Sequence, residues 1–194
     1  MNISLNLEKD CSMEITEVLE VLDRAIAGRS VLSLERPEMA ETELLCIPVA
    51  RSDELLLIHV FYDFYPDGYR ILRLEDVYEA IRDGSEEFFE RVIRAEGVYD
   101  RLKTPPQIDL SSWQGALASL RGRYDYCIIE CDEQDDFLIG KIVELGEWDF
   151  TFWYFDATGK WDDEMDVVDY DDLTAISFDD NYTNTIAKYI QKPN

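Results

Sequence analysis

The densest run of potential ligands in the chain is Trp161-Asp162-Asp163-Glu164-Met165-Asp166. Asp156, Asp162, Asp163 and Asp166 supply the oxygen donors that a hard cation such as calcium takes. Their spacing fits no calcium loop of the helix–loop–helix kind, and the glycine such a loop needs at its sharp turn is missing. A solvated hairpin end accounts for the same residues, and no metal is assigned. Cys127 and Cys131 bracket the run Cys127-Ile128-Ile129-Glu130-Cys131. That spacer suits half of a zinc site, but two more ligands are required and the chain holds one histidine. With Cys11 and Cys46 they read as structural thiols. The histidine, His59, stands in an apolar run, and a catalytic base needs an orienting partner within reach. The chain carries no G-x-S-x-G, Walker loop, H-E-x-x-H or dinucleotide fingerprint. A hydrolase working through two carboxylates is the remaining enzymatic reading, and among 43 acids no pair stands out. No catalytic residue and no cofactor is assigned, and the chain is expected not to be an enzyme.

The other chemistry on offer is recognition. The 43 acids face 18 bases, for a net charge of −25. Residues 1–100 carry −13 and residues 101–194 carry −12, so the acidity is not a tail. Such a surface repels phosphate backbones and anionic lipid, so nucleic acid and membrane are poor partners, and it favours encounter with a basic protein. Phe150, Phe152, Trp153, Tyr154 and Phe155 form an aromatic strand whose alternate members must face outward. The outward set either packs on a closing helix or on the other copy, or marks a partner surface. The residues assigned to a possible partner surface are Trp153, Trp161, Asp162, Asp163, Asp171 and Asp172.

The elements that position these residues occur twice. With an offset of 93, Leu44 to Asp63 lies over Phe137 to Asp156 without a gap. This places Leu57 on Phe150, His59 on Phe152 and Asp63 on Asp156. Small gaps extend the match, with Gly28-Arg29 on Gly122-Arg123 and Leu74-Glu75-Asp76-Val77 on Tyr170-Asp171-Asp172-Leu173. Residues 1–100 and 111–194 are expected to form the two copies, joined by a proline-containing linker over 101–110.

Each copy opens with a helix. In the first, Ile15, Val18, Leu19, Leu22 and Ile26 make an apolar stripe over 13–27, with Ser12 as cap and Gly28 as the left-handed stop. In the second, Trp113, Ala116, Leu117 and Leu120 follow a serine cap and end before Gly122. Five short strands follow, predicted at 30–34, 43–50, 55–64, 69–74 and 78–81, and again at 124–131, 137–145, 150–157, 166–170 and 175–178. Pro66-Asp67-Gly68 and Thr158-Gly159-Lys160 supply turns, and Pro48 marks an edge or a bulge. A closing helix follows Ser85-Glu86-Glu87, and another carries Tyr182, Ile186, Tyr189 and Ile190.

This layout of one helix and five short strands resembles the Sm-like small barrel. Phe137 to Phe152 looks like the first Sm motif, with Gly140 at its strand glycine and Ile142 and Leu145 at the apolar places that follow. Tyr170 to Ile176 stands at the second motif. The resemblance implies a mainly β fold with flanking helices (α+β), as two tandem Sm-like barrels. Its RNA-binding residues are replaced. Gly146 stands at the aspartate, no asparagine follows near Asp149, and Asp171 and Asp172 stand at the arginine-glycine pair. In the first copy Ile47 falls on Gly140, and Glu75-Asp76 falls on the basic pair.

The expected function is therefore a non-catalytic, acidic protein-interaction module, of which a toxin-neutralising immunity protein is one example. An atypical Sm-like nucleic-acid binder is the alternative. No apolar run reaches the roughly 20 residues of a membrane span, and the first residues lack a secretory pattern, so a cytoplasmic location is expected. The pattern fixes no oligomeric state.

Overall fold

The computed structural model describes residues 15–39, 41–132 and 137–190. Ser12 and Cys11 lie outside them. Helix α1 (Ile15–Gly28) buries Val18, Leu22 and Ala25; of the stripe read from the sequence, Val18 and Leu22 are buried, Leu19 and Ile26 are half-buried and Ile15 is exposed. Strands β1 (Leu32–Glu35), β2 (Glu43–Arg51), β3 (Leu55–Tyr62) and β4 (Tyr65–Arg73) follow. A 3-10 turn at Leu74–Asp76, strand β5 (Glu79–Ile81) and helix α2 (Gly84–Ala95) complete the first half. The second half runs α3 (Trp113–Leu120), β6 (Cys127–Cys131), β7 (Leu138–Leu145), β8 (Asp149–Tyr154) and β9 (Asp166–Asp169). It ends in a 3-10 turn at Tyr170–Asp172, β10 (Leu173–Phe178) and α4 (Asn181–Ile186).

The ten strands form one open antiparallel sheet, in the order β5-β1-β2-β3-β4-β10-β6-β7-β8-β9. This corrects the expectation of two closed barrels. Each half has the same internal order, but β4 and β5 do not meet within the first half. Instead β4 pairs with β10 of the second, with Ile71 opposite Ile176. Residues 102–112 contain no helix or strand, yet they do not hang free. Ile108 and Leu110 pack into the second core, and Lys103 Nζ lies 2.7 Å from Asp179.

The backbone also corrects the repeat offset. β2 bulges between Pro48 and Ala50, and β7 bulges between Ile142 and Glu144. Ser52 N donates to Leu55 O across one hairpin end, and Gly146 N to Asp149 O across the other. Both features match at an offset of 94. A one-residue slip moves every side chain to the opposite face. The true counterparts of Leu56 and Ile58 are thus Phe150 and Phe152, and all four are buried. His59 corresponds to Trp153, and Cys46, rather than Ile47, corresponds to Gly140. Gly140 has no room for a side chain, since a Cβ there would meet the backbone of Trp153 and stand 2.7 Å from Tyr154 Cα.

The cores explain the joint. Leu32, Leu34, Leu44, Leu56, Ile58 and Leu72 meet α1 in the first half. The second core gathers Leu117, Leu120, Cys127, Ile129, Phe150, Phe152 and Ile176. It also takes Leu55, Leu57, Tyr69 and Ile71 from the other face of β3 and β4. The first half thus completes the core of the second. On the outer face, α2 covers Val31, Ile47 and Phe61, while Ile186 and Ile190 at the chain's end pack with Ile139 and Phe155.

Two turn assignments also change. Arg29, not Gly28, takes the left-handed conformation after α1, with φ 48°. The β3–β4 turn lies at Asp63 and Phe64, with Tyr62 opposite Tyr65, so Pro66 and Gly68 fall inside β4. The proline at position 48 does stand at a bulge, as expected.

Candidate functional site

The six residues assigned to a partner surface separate into two places. Trp153 on β8 and Trp161 on the β8–β9 connection lie with ring centroids 4.9 Å apart. Lys141 Nζ sits 4.8 Å from the Trp153 ring and 5.5 Å from the Trp161 ring, close enough for a cation–π contact with both. Trp153 Nε1 donates to the carbonyl of Asp162 at 2.8 Å, which ties the connection to the strand. Both rings are half-buried, and Trp161 also packs on Phe155 and Tyr126. This aromatic group belongs largely to the packing beneath α4. Asp163 is exposed beside it.

The aspartates near this group are used by the loop itself. Asp156 Oδ1 accepts from Thr158 N at 2.8 Å, from its hydroxyl at 2.6 Å and from Lys160 N at 3.1 Å. These donors hold its carboxyl below the usual carboxylate range. Asp162 Oδ1 accepts from Glu164 N at 3.1 Å. Cys127 is in the core, where burial pushes its thiol up to about 12, and Cys131 is half-buried at the far end of β6. His59 is buried and stacks on Tyr69 at 4.6 Å, so it packs between strands rather than facing a cleft.

Asp171 and Asp172 lie at the other end of β9, on the 3-10 turn. Asp171 lines a notch of about 410 Å³ between the two halves. The β2–β3 turn contributes Asp53 and Glu54, β3 contributes Leu55, β4 contributes Arg73, and the turn after it contributes Glu75. The second half contributes Trp113, Tyr170 and Asp171. Four carboxylates thus ring two aromatic residues. The carboxylates are exposed, while Tyr170 is held by its stacking on Phe150 at 5.8 Å and by donation of its hydroxyl to Gly146 O at 3.2 Å.

Among the described residues Arg73 is the one cation lining the notch, and its charge is already matched. Its guanidinium binds Asp76 at 3.0 Å, Asp132 at 2.7 Å and the notch's own Glu75 at 3.3 Å, and donates to the Asp171 carbonyl at 3.2 Å, which leaves Asp53, Glu54 and Asp171 as the carboxylates it does not pair with. Asp132 and Asp76 raise its pKa further above the ordinary arginine value. Behind it, the side chain of Arg36 is fully buried, 4.0 Å from Asp76 and 3.8 Å from Glu130. None of its guanidinium nitrogens has a hydrogen-bond partner among the described residues. Burial pulls its pKa down, while Glu130 and Asp76 act to restore it. This ionic layer stitches β4 to β6 across β10, since Arg70 also reaches Glu130 at 3.6 Å and Ser177 at 2.7 Å.

Sequence reasoning missed the notch because its parts come from both halves. Trp113 reads as a core residue of a helix, and Asp53 and Glu54 carry no local signal beyond their charge. Only the β4–β10 joint brings them together. Chemically, the notch sets exposed carboxylates beside an indole and a phenol, a lining that suits an ammonium or guanidinium group. No protein-family model, curated protein or solved structure matches the chain. Among the described residues no helix is long and apolar enough to cross a membrane.

Proposed function

We propose that the protein is a non-catalytic, acidic interaction module whose partner is a basic protein. The observation that carries this reading is the notch between the halves, where Asp53, Glu54, Glu75 and Asp171 surround Trp113 and Tyr170. A lysine or arginine side chain of the partner enters it and meets both charge and ring faces. The net charge of −25 steers a basic partner from a distance, and the notch gives the encounter a register. A toxin-neutralising immunity protein is one biological setting for such a module. From the resemblance to Sm-like proteins we take an order of elements, a helix followed by five strands, without the RNA-binding residues. The acids at the turn after β9 argue against a phosphate backbone at that corner.

The test uses a fluorescent deca-arginine peptide and the full chain. Binding at low salt is expected, weakening as salt rises. The pair Glu54→Lys and Asp171→Lys should weaken it by about tenfold or more, the scale of losing close charge contacts at a recognition site. The control pair Glu17→Lys and Glu20→Lys, on the exposed face of α1, removes the same charge elsewhere. Equal losses in the two pairs would reduce the effect to net charge and sink the notch as a site.

A further inference from the structure

The internal joint pairs β4 of the first half with β10 of the second. Within the repeat, β4 corresponds to β9, because Leu72 faces Leu56 as Val168 faces Phe150. Likewise β10 corresponds to β5, because Ile176 faces Ile129 as Ala80 faces Leu34. Among the described residues, β9 and β5 are the two outer edges of the sheet. Each edge is therefore one side of a contact the molecule already makes once. Unpaired edges of this kind are templates for another strand, and two different complementary edges give head-to-tail addition.

The side chains agree with this. Tyr69 and Ile71 on β4 are 2% and 0% exposed, because the second half covers them. Their counterparts on the β9 edge are Met165 and Val167, which are 45% and 67% exposed. The receiving side is also shaped. β5 and α1 flank a groove of about 500 Å³ lined by Val21, Arg24, Ala25, Ala80, Ile81 and Arg82. In the second half, the corresponding contact with α3 and β10 is made by Tyr69 and Ile71. Charge complements shape. The groove carries Arg24, and Arg82 already bound to Glu90 at 3.0 Å, while β9 and the residues before it carry Asp163, Glu164, Asp166 and Asp169.

We propose that β9 of one chain docks antiparallel on the β5–α1 groove of a second copy. Val167 then stands opposite Ala80 and Asp166 opposite Ile81, which repeats the register of the internal joint. The external contact is the weaker of the two. Leu55 and Leu57, which help bury the internal joint, have Asp149 and Thr151 as counterparts. Fewer apolar groups leave water, so association depends on concentration, and two chains of −25 each repel until salt screens them.

Sedimentation velocity of the full chain over a concentration series tests this. At moderate salt, where the mutual repulsion of the chains is screened, the unmodified chain should shift from monomer to larger species as concentration rises. Val167→Asp and Arg24→Glu, both at exposed positions, should each remain monomeric. Mixed one to one, they should form a dimer and nothing larger, because one keeps an intact groove and the other an intact β9. A chain that stays monomeric at every concentration overturns the proposal. So does association of Val167→Asp equal to that of the unmodified chain, or a folded mixture that forms no dimer. None of these outcomes touches peptide binding at the notch, so the two readings fail separately.

Discussion

His59 shows how burial fixes a residue's role. It sits between Tyr69 and Phe61, with ring centroids at 4.6 and 5.7 Å. Burial pulls its pKa down from 6.5 to about 4, and Asp179 opposes this only in part. The folded state therefore holds the neutral ring, while the unfolded chain takes up a proton as pH falls below 6.5. Stability from this group is present above that pH and is lost as pH falls towards 4. The full effect is about 3 kcal/mol by linkage. His59→Phe keeps an aromatic ring, as Trp153 does at the corresponding place, and removes the proton. Urea denaturation at pH 7 and pH 4.5 should show the variant losing less stability than the unmodified chain. Equal losses would mean that other acid-sensitive groups carry the whole effect. The sequence marked His59 as a packed residue rather than a base, and that reading follows from the apolar run around it. Arg36 was not legible in the same way. In Glu35-Arg36-Pro37-Glu38 it reads as a solvated loop cation, and only the fold places it beside Asp76 and Glu130.

At the scale of elements, the strands were legible to within a few residues because alternation and turn residues are local signals. Caps and register were less so. The start of α2 was read at Ser85, but Asp83 is the cap, accepting from Ser85 N at 2.8 Å. Glu86 completes a reciprocal box by accepting from Asp83 N at 2.8 Å. The same carboxylate accepts from Ser33 Oγ at 2.8 Å, so the box also pins α2 to β1. Glu86→Ala should destabilise the protein by about 2–3 kcal/mol, since it leaves a buried hydroxyl and a helix-start N–H unpaired. Hydrogen exchange should show the loss in α2 and β1 ahead of the second half. Glu86→Gln keeps a side-chain acceptor and should recover part of it. Uniform loss of protection across the chain would show that the box does not anchor α2 locally. The one-residue error in the repeat offset has a physical source as well. Apolar residues on both faces of β3 make adjacent registers look equally good, and of the two bulges that decide between them one is marked by Pro48 while the other, at Ile142 to Glu144, has no such residue.

The whole molecule departs from two barrels for a reason visible in one strand. β3 is buried from Leu55 to Phe61 on both faces, whereas its counterpart β8 alternates. A strand buried on both faces needs a layer on each side. For β3 and β4 the second layer is the core of the other half, which takes Leu55, Leu57, Tyr69 and Ile71. That unbroken apolar run was the sequence signal for a shared core, and a single-copy reading has no use for it. The dependence is one-sided. The first core draws Ala175 from the second half, while the second draws four large side chains from the first. Expressed alone, residues 104–194 should therefore fail to fold cooperatively, and residues 1–103 should keep a cooperative transition. All four tryptophans, Trp113, Trp148, Trp153 and Trp161, lie in the second half, so their fluorescence reports on it without interference. The isolated fragment should give red-shifted emission with no denaturant transition, and adding residues 1–103 should restore both the blue shift and the transition. A cooperative transition in the isolated fragment would mean that α3 and β6 to β10 close their own core, and that the β4–β10 joint only docks two finished units.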